Sequence, residues 1–233
     1  MNLFYTKPSL ISGDQLTIEG QEAIHVSKVL RMAAGDSVHV TDGKGNLYSG
    51  TISEIRSKNV LVNISERESE KPVMPEVTIA MGIIKKRDRL EFAAEKATEL
   101  GASRIVFFKG DHSEKTKVRA DRLQATVLSA MKQSFRFYLP EVQVMNSFDE
   151  LLAGVQDDTL LIIADQESDN NTITTDNYRQ VICVIGPEGG MSKRERELWT
   201  KADAEPVLLG KKRLRAETAA IIMADRFCNL RPS

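Results

Sequence analysis

The 233-residue chain is short of several things, and each shortage excludes a class of protein. It has two cysteines, Cys183 and Cys228, both in apolar surroundings and forming no CxxC pair. That excludes a disulfide scaffold and reads as reduced, buried thiols. The three histidines, His25, His39 and His112, are scattered, and none has a ligand-type partner four residues on, so no metal site is expected. No apolar run approaches the roughly 20 residues needed to span a bilayer. Residues 1–8 carry no apolar stretch of the signal-peptide kind, and a cytoplasmic location is the expectation. Charge of one sign is lacking too. Lys plus Arg is 32 and Asp plus Glu is 33, a formal charge of −1. Taken alone, that balance argues against a nucleic-acid partner.

What is present changes that reading. The charge is unevenly distributed: residues 83–136 hold 13 basic and 7 acidic residues, while 137–180 hold 1 and 9. Basic groups gather at Lys85-Lys86-Arg87 with Arg89, from Lys115 to Arg122, and at Lys211-Lys212-Arg213 with Arg215. Any one cluster reads as a solvated face. Three of them at strand ends or helix starts predict an anionic partner such as phosphate or nucleic acid.

Texture divides the chain. Residues 1–72 read as a small β-rich unit. Val38 and Val40 alternate in one strand, residues 42–46 form a turn, and 47–55 and 60–64 are further strands. A helix over 22–31 places Ala23, Val26, Val29 and Leu30 on one side. Residues 65–75, polar and ending in two prolines, read as a linker. Over 73–233, apolar runs at 77–84, 105–108, 160–164, 181–185 and 207–209 alternate with helical patterns. Asp88 with Glu91, Ser147 with Glu150 and Ser192 with Glu195 have capping-box spacing. Residues 216–230 set Ala216, Ala219, Ala220, Met223, Phe227 and Leu230 on one helical face. The alternation predicts an α/β fold with an open parallel sheet covered by helices.

Two segments carry chemistry. In Gly186-Pro187-Glu188-Gly189-Gly190, a strand enters a glycine-rich turn ahead of a capped helix. Three glycines let the backbone approach a ligand closely, and the helix start offers free N–H groups. The pattern is neither GxxxxGK nor GxGxxG, which weighs against a P-loop and a dinucleotide fold. In the second segment, Leu209-Gly210 ends a strand, and Arg215, Glu217 and Thr218 open the last helix. Glu217 there is favoured by the helix dipole alone. The two loops together can enclose one small ligand.

These motifs, in order, resemble the SPOUT superfamily, and within it the RsmE-type 16S rRNA uracil-N3-methyltransferases. His25-Val26-Ser27-Lys28-Val29-Leu30-Arg31 is similar to that family's H-x-x-x-V-L-R signature. Lys85 to Glu91 with Lys96 to Gly101 resembles its first helix, and Gln133-Ser134-x-Arg136 its Q-S-x-R segment. GPEGG and LRAETA resemble its two loops. Against the family pattern, Lys132 replaces a common Glu, Phe135 a small residue, and Arg213 an aliphatic. The resemblance implies a PUA-like β-barrel over 1–72 that contacts RNA, and a SPOUT trefoil-knot (α/β-knot) domain over 73–233. It implies S-adenosylmethionine as cofactor, held by Gly186, Pro187, Glu188, Gly189, Gly190, Leu209, Gly210, Leu214, Arg215, Thr218 and Ala219. It also implies a homodimer acting on the small ribosomal subunit.

For methyl transfer to uracil N3, Arg215 is the candidate cation for the charge that spreads onto the base carbonyls. Glu217 or Glu188 is the candidate proton acceptor or orienting group. Lys28, Arg31, Lys85, Lys86, Arg87, Arg89, Gln133 and Arg136 are the candidate RNA contacts. A ribose 2′-O-methyltransferase and a nonenzymatic ribosome-assembly protein are the alternatives.

Overall fold

A computed structural model describes residues 2–114, 118–175 and 177–228. The chain forms two compact units. One contains residues 1–72 and 131–139, the other 73–130 and 140–233.

In the first unit, strands β1 (Leu3–Tyr5), β2 (Ile11–Ser12), β3 (Gln15–Glu19), β4 (Ser37–Thr41), β5 (Asn46–Ile55) and β6 (Asn59–Ser69) make one sheet in the order β1-β4-β5-β6-β3-β2. All its pairings are antiparallel except β1 with β4. Alternation decides the core: Leu16 and Ile18, Val38 and Val40, Val60 and Val62 point inward and are buried with Phe4, Val26 and Ile52. β1, β2 and β3 were not anticipated from the sequence, although β3 alternates as β4 does.

Two expectations here need correction. Residues 65–69 are not linker: β6 continues to Ser69, paired to β5 through Asn46↔Ser69, Leu47↔Glu68 and Tyr48↔Arg67. Backbone ladder bonds form whatever the side chains, so polar composition alone did not end the strand. Nor is 22–31 one α-helix. Helix α1 (Gly20–Ile24) passes into a π-turn over His25–Val29, closed by Leu30 N–H donating to His25 O at 2.9 Å. The wider turn rotates Val29 off the buried face, leaving it 64% exposed, while Ala23 and Val26 stay buried. Arg31 follows at φ 54°, a left-handed conformation that costs roughly 1–2 kcal/mol outside glycine.

Residues 131–139 also fold with this unit rather than with 73–233. The Gly45 N–H donates to Phe137 O at 2.9 Å, the Leu139 N–H to Gly43 O at 3.0 Å, and the Tyr138 hydroxyl to Glu70 O at 2.8 Å. Phe137 is buried with Leu3 and Leu47. Lys132 forms an ion pair with Glu22, so the lysine that departs from the family pattern has a partner of opposite charge within its own unit.

The second unit holds β7 (Glu76–Gly82), α2 (Arg87–Glu99), β8 (Arg104–Phe108), most of α3 (Ala120–Gln133), β9 (Glu141–Met145), α4 (Phe148–Ala153), β10 (Thr159–Ala164), β11 (Gln180–Ile185), α5 (Lys193–Lys201), β12 (Glu205–Val207) and α6 (Ala216–Cys228). Its sheet is wholly parallel, in the order β12-β10-β11-β7-β8-β9. The central strands are near-continuous apolar runs because helices cover both faces. Strand β9, an edge of alternating character, was not anticipated. Helix α6 buries Ala219, Ala220, Met223, Ala224 and Phe227 against α2, β7 and β11; Leu230, expected on that face, lies outside the described residues.

Chain order reverses between β11 and β7, the place where open α/β sheets form their ligand crevice. From edge strand β12 the chain must return across the strand ends to seat α6 over the middle of the sheet. Residues 208–215 make that crossing.

The capping boxes fare differently. Ser192 with Glu195 is complete. Ser147 accepts from the Glu150 N–H, but the Glu150 carboxylate takes the Asn146 N–H. Asp88 caps nothing; α2 starts after Lys86 without a side-chain cap, and Glu91 instead pairs with Arg87 and Arg122.

Candidate functional site

The 186–190 loop leaves the end of β11 and is packed tightly from below. A Cβ on Gly82 would stand 2.5 Å from Pro187 N, and one on Gly110 would stand 3.2 Å from Pro187 Cγ. A Cβ on Gly189 would meet His112 Cβ at 2.8 Å, and Gly190 has φ 74°. Glycine is thus required at the end of β7 beneath the loop, where the clash is with backbone, while Gly110 leaves little room beside it.

Hydrogen bonds hold the same loop from the side. Glu195 is fully buried, accepting the Ser192 N–H at 2.7 Å and the Asp111 N–H at 3.0 Å. The Ser192 hydroxyl donates to Asp111 at 2.5 Å. Arg194 forks onto Asp111 at 2.9 and 3.1 Å and reaches Asp149 at 2.8 Å. The Arg194 and Ser192 hydrogen bonds pull the Asp111 carboxyl down to about 2, and the paired aspartates push the Arg194 guanidinium up. His112 Nδ1 lies 3.2 Å from both Gly189 O and Gly190 O. Gly110 and Asp111 were unmarked in the sequence, and His112 stood out there only as a scattered histidine without a metal-ligand partner. The available signal was a glycine two residues past the apolar run 105–108, close to the pattern of Gly186 directly after 181–185.

Opposite this loop runs the 208–216 segment. Arg226, near the end of α6, donates to Leu208 O at 3.2 Å and Leu209 O at 3.1 Å. Arg213 donates to Glu188 O at 3.2 Å, joining the two walls. Between them lies a cavity of about 590 Å³. Of the residues expected to hold a cofactor, Gly186, Pro187, Glu188, Gly190, Leu209, Gly210, Leu214, Arg215 and Ala219 line it. Gly189 and Thr218 do not; both are exposed.

The end of β10 supplies a third wall that was not foreseen: Ile163, Ala164, Asp165, Gln166 and Glu167, with Arg196 and Trp199 from α5. Arg196 pairs with Asp165 at 3.0 Å and Glu167 at 3.4 Å. Trp199 Nε1 is buried without a hydrogen-bond partner. Strand β10 neighbours β11, so adjacency in the sheet brings these residues in.

Arg89 was read as an RNA contact, and the structure places it in the cavity wall. Its Nε is 3.3 Å from Glu217 Oε1 and its Nη1 3.2 Å from Glu188 Oε1. Glu217 is buried, and its Oε2 has no hydrogen-bond partner. Arg215 is exposed at the rim. The other expected RNA contacts divide between the units. Lys85, Lys86 and Arg87 are exposed at the start of α2, Lys85 paired with Glu114 and Arg87 with Glu91. Lys28, Arg31, Gln133 and Arg136 belong to the first unit. Of the Lys115–Arg122 cluster, Lys115 and Lys117 lie outside the described residues, Arg119 pairs with Asp121, and Arg122 with Glu91. Among the described residues, no helix is long and apolar enough to cross a membrane.

Residues 69–227 match the family model of the RNA methyltransferase domain, and residues 18–65 match that of the RNA methyltransferase PUA domain. The chain belongs to the RNA methyltransferase family. Its second unit is an α/β fold on a wholly parallel sheet, and the PUA-domain match falls in the first unit. Among relatives, the ribosomal RNA small subunit methyltransferase E of Bacillus subtilis is 29% identical over 232 residues, spanning 93% of this chain and 90% of that one. The protein of the same name from Mesomycoplasma hyopneumoniae is 31% identical over 155 residues, or 64% and 68% of the two chains. Among solved structures, a probable rRNA-methyltransferase from Porphyromonas gingivalis superposes with a TM-score of 0.84 at 32% identity, over 97% and 96% of the two chains. The small subunit methyltransferase E of Neisseria gonorrhoeae, solved with S-adenosylmethionine, superposes at 0.86 with 24% identity, over 97% and 96%, and speaks to the fold alone.

Proposed function

We propose that the protein transfers a methyl group from S-adenosylmethionine to N3 of a specific uridine in 16S rRNA. One observation carries this reading. In an RNA methyltransferase domain, the GPEGG loop and the 208–216 segment converge on one cavity at the C-terminal ends of parallel strands. Relatives named as small subunit rRNA methyltransferases direct the reading to 16S rRNA.

The cavity fits the cofactor. About 590 Å³ lies within the usual 300–1,000 Å³ for small-ligand sites. Ile163, Leu208, Leu209, Leu214 and Trp199 offer apolar wall, and the unpaired Trp199 Nε1 offers a buried donor. Glu188, Asp165 and Glu167 offer carboxylates that complement a cation. When bound, S-adenosylmethionine supplies a methyl group already activated on a sulfonium. The chain's part is to position and to balance charge. The loop walls align the two reactants, which supplies up to about 7–11 kcal/mol of barrier reduction in well-oriented systems. Arg215, exposed at the rim, holds the negative charge left on the uracil carbonyls. Glu188, in the wall, accepts the N3 proton. Glu217 orients Arg89, which in turn fixes Glu188.

Residues 1–72, carrying 131–139 with them, contact the RNA through Lys28, Arg31, Gln133 and Arg136; the rest of 73–233 performs the transfer. The remaining cofactor contacts follow the resemblance, Gly189 and Thr218 from outside the described cavity. The enzyme works as a cytoplasmic homodimer on the small ribosomal subunit.

Nucleoside mass spectrometry of unmodified 16S rRNA, incubated with the protein and cofactor, tests this. Formation of 3-methyluridine is the expected result. A 2′-O-methyl nucleoside would replace the reading with ribose methylation. Absence of cofactor binding by calorimetry would leave a ribosome-assembly protein.

A further inference from the structure

We infer that Val29 is an apolar contact for unstacked RNA bases, set by the π-turn between two cations that hold the phosphate backbone. The inference rests on the RNA-binding role proposed above for the first unit. Helical spacing would bury Val29 with Ala23 and Val26, but the π-turn over His25–Val29 shifts it outward. Val29 is 64% exposed, the one large apolar side chain so exposed in this unit among the described residues. π-turns of this kind recur at functional sites because they aim a side chain that a regular helix would hide.

Its surroundings select the occupant. Lys28 and Arg31 are exposed on either side, and neither forms an ion pair among the described residues. Arg31 is held at φ 54°, and backbone outliers of this sort gather at ligand contacts. Leu30 turns inward against the core formed by Phe4, Val26 and Val38, anchoring the segment. An apolar residue between two free cations complements a single-stranded nucleic acid, whose bases are apolar on their faces and whose backbone is anionic. Apolar wedges placed against bases by flanking cations are a recurrent device in nucleic-acid binding.

The test separates apolar from ionic contact through salt. A 16S rRNA transcript is titrated with wild type, Val29→Thr, Val29→Ala, Val29→Leu and Arg31→Ala at several salt concentrations. Threonine keeps the shape and β-branching of valine, so it preserves the turn while adding a hydroxyl. The expected result is affinity about threefold to tenfold weaker for Val29→Thr and Val29→Ala at every salt, with an unchanged salt slope. Val29→Leu retains near-wild-type affinity. Arg31→Ala weakens binding and also reduces the slope by about one counterion.

Wild-type affinity in Val29→Thr would overturn the inference. So would a slope change equal to that of Arg31→Ala, because Val29 would then act only by placing the cation. A change in oligomeric state by sedimentation would overturn it too, assigning the surface to a second copy. If the wild-type protein bound no 16S rRNA, the underlying reading would fail instead.

Discussion

Arg89 Nε stands 3.3 Å from Glu217 Oε1, joining the first turn of α2 to the first turn of α6 across 128 residues of sequence. The same guanidinium reaches Glu188 at 3.2 Å. One cation therefore links the glycine loop to the helix that follows the opposite wall. The Glu217 side chain is only 9% exposed, so little water reaches it and Arg89 is the cation beside it.

Removing one side of the pair costs more than removing both. Arg89→Met leaves the Glu217 carboxylate buried without compensation and destabilises the protein by about 2–4 kcal/mol. The double variant Arg89→Met with Glu217→Met recovers at least half of that loss, since no charge is stranded. Urea unfolding of the two singles and the double closes the cycle. Strict additivity would show that the pair does not couple.

Space under the glycine loop is equally restrictive. Gly82→Ala puts a methyl group 2.5 Å from Pro187 N, which is backbone and cannot swing aside. Overpacking of this kind costs about 1–3 kcal/mol. The loop must lift, and cofactor affinity falls by about tenfold or more. Calorimetric binding of S-adenosylmethionine measures it, with unfolding midpoints recorded in parallel.

Arg226 controls the opposite wall without lining the cavity. Its two donors hold the carbonyls of Leu208 and Leu209. Arg226→Met frees both, and cofactor affinity drops by about threefold to tenfold. Arg226→Lys, able to hold one carbonyl at a time, gives an intermediate loss. The same ordering is expected in KM for the cofactor, with kcat changed less.

Acid releases the buttress at Asp111. Its carboxyl is held down to about 2 by Arg194 and Ser192, below the ordinary carboxylate range. A depressed folded-state pKa stabilises above the unfolded value of about 4, and the contribution disappears as pH falls from about 4 through about 2. The side chain is about a third exposed, so solvent screening keeps the effect modest. Asp111→Asn removes this part of the acid dependence. Unfolding midpoints followed from pH 5 to pH 2 should fall less steeply in the variant than in wild type.

Much of the site was legible where local chemistry is self-sufficient. Gly186, Gly189 and Gly190 after an apolar run identify a close-approach loop, and Ser192 with Glu195 identifies the helix behind it. Contacts made at long range were not legible. Glu195 has the same capping spacing whether or not its second oxygen takes the Asp111 N–H, 84 residues away. Arg89 looks like any other basic residue of its cluster, because charge in a sequence does not name a partner. Val29 fits the helical period and was placed inside; the π-turn that expels it leaves no mark in hydrophobic spacing.

By itself, the sequence determined the alternation of apolar strands and amphipathic helices, the two glycine-bearing loops and the family they resemble. These depend on residue type and on separations of a few positions, which period and turn chemistry control. Tertiary structure alone decided which segments share a wall. It brought the end of β10 into the cavity, turned Arg89 toward two carboxylates, and gave residues 131–139 to the first unit. Those outcomes come from strand order and packing, where partners far apart in the chain meet and where one extra residue in a helical turn redirects a side chain.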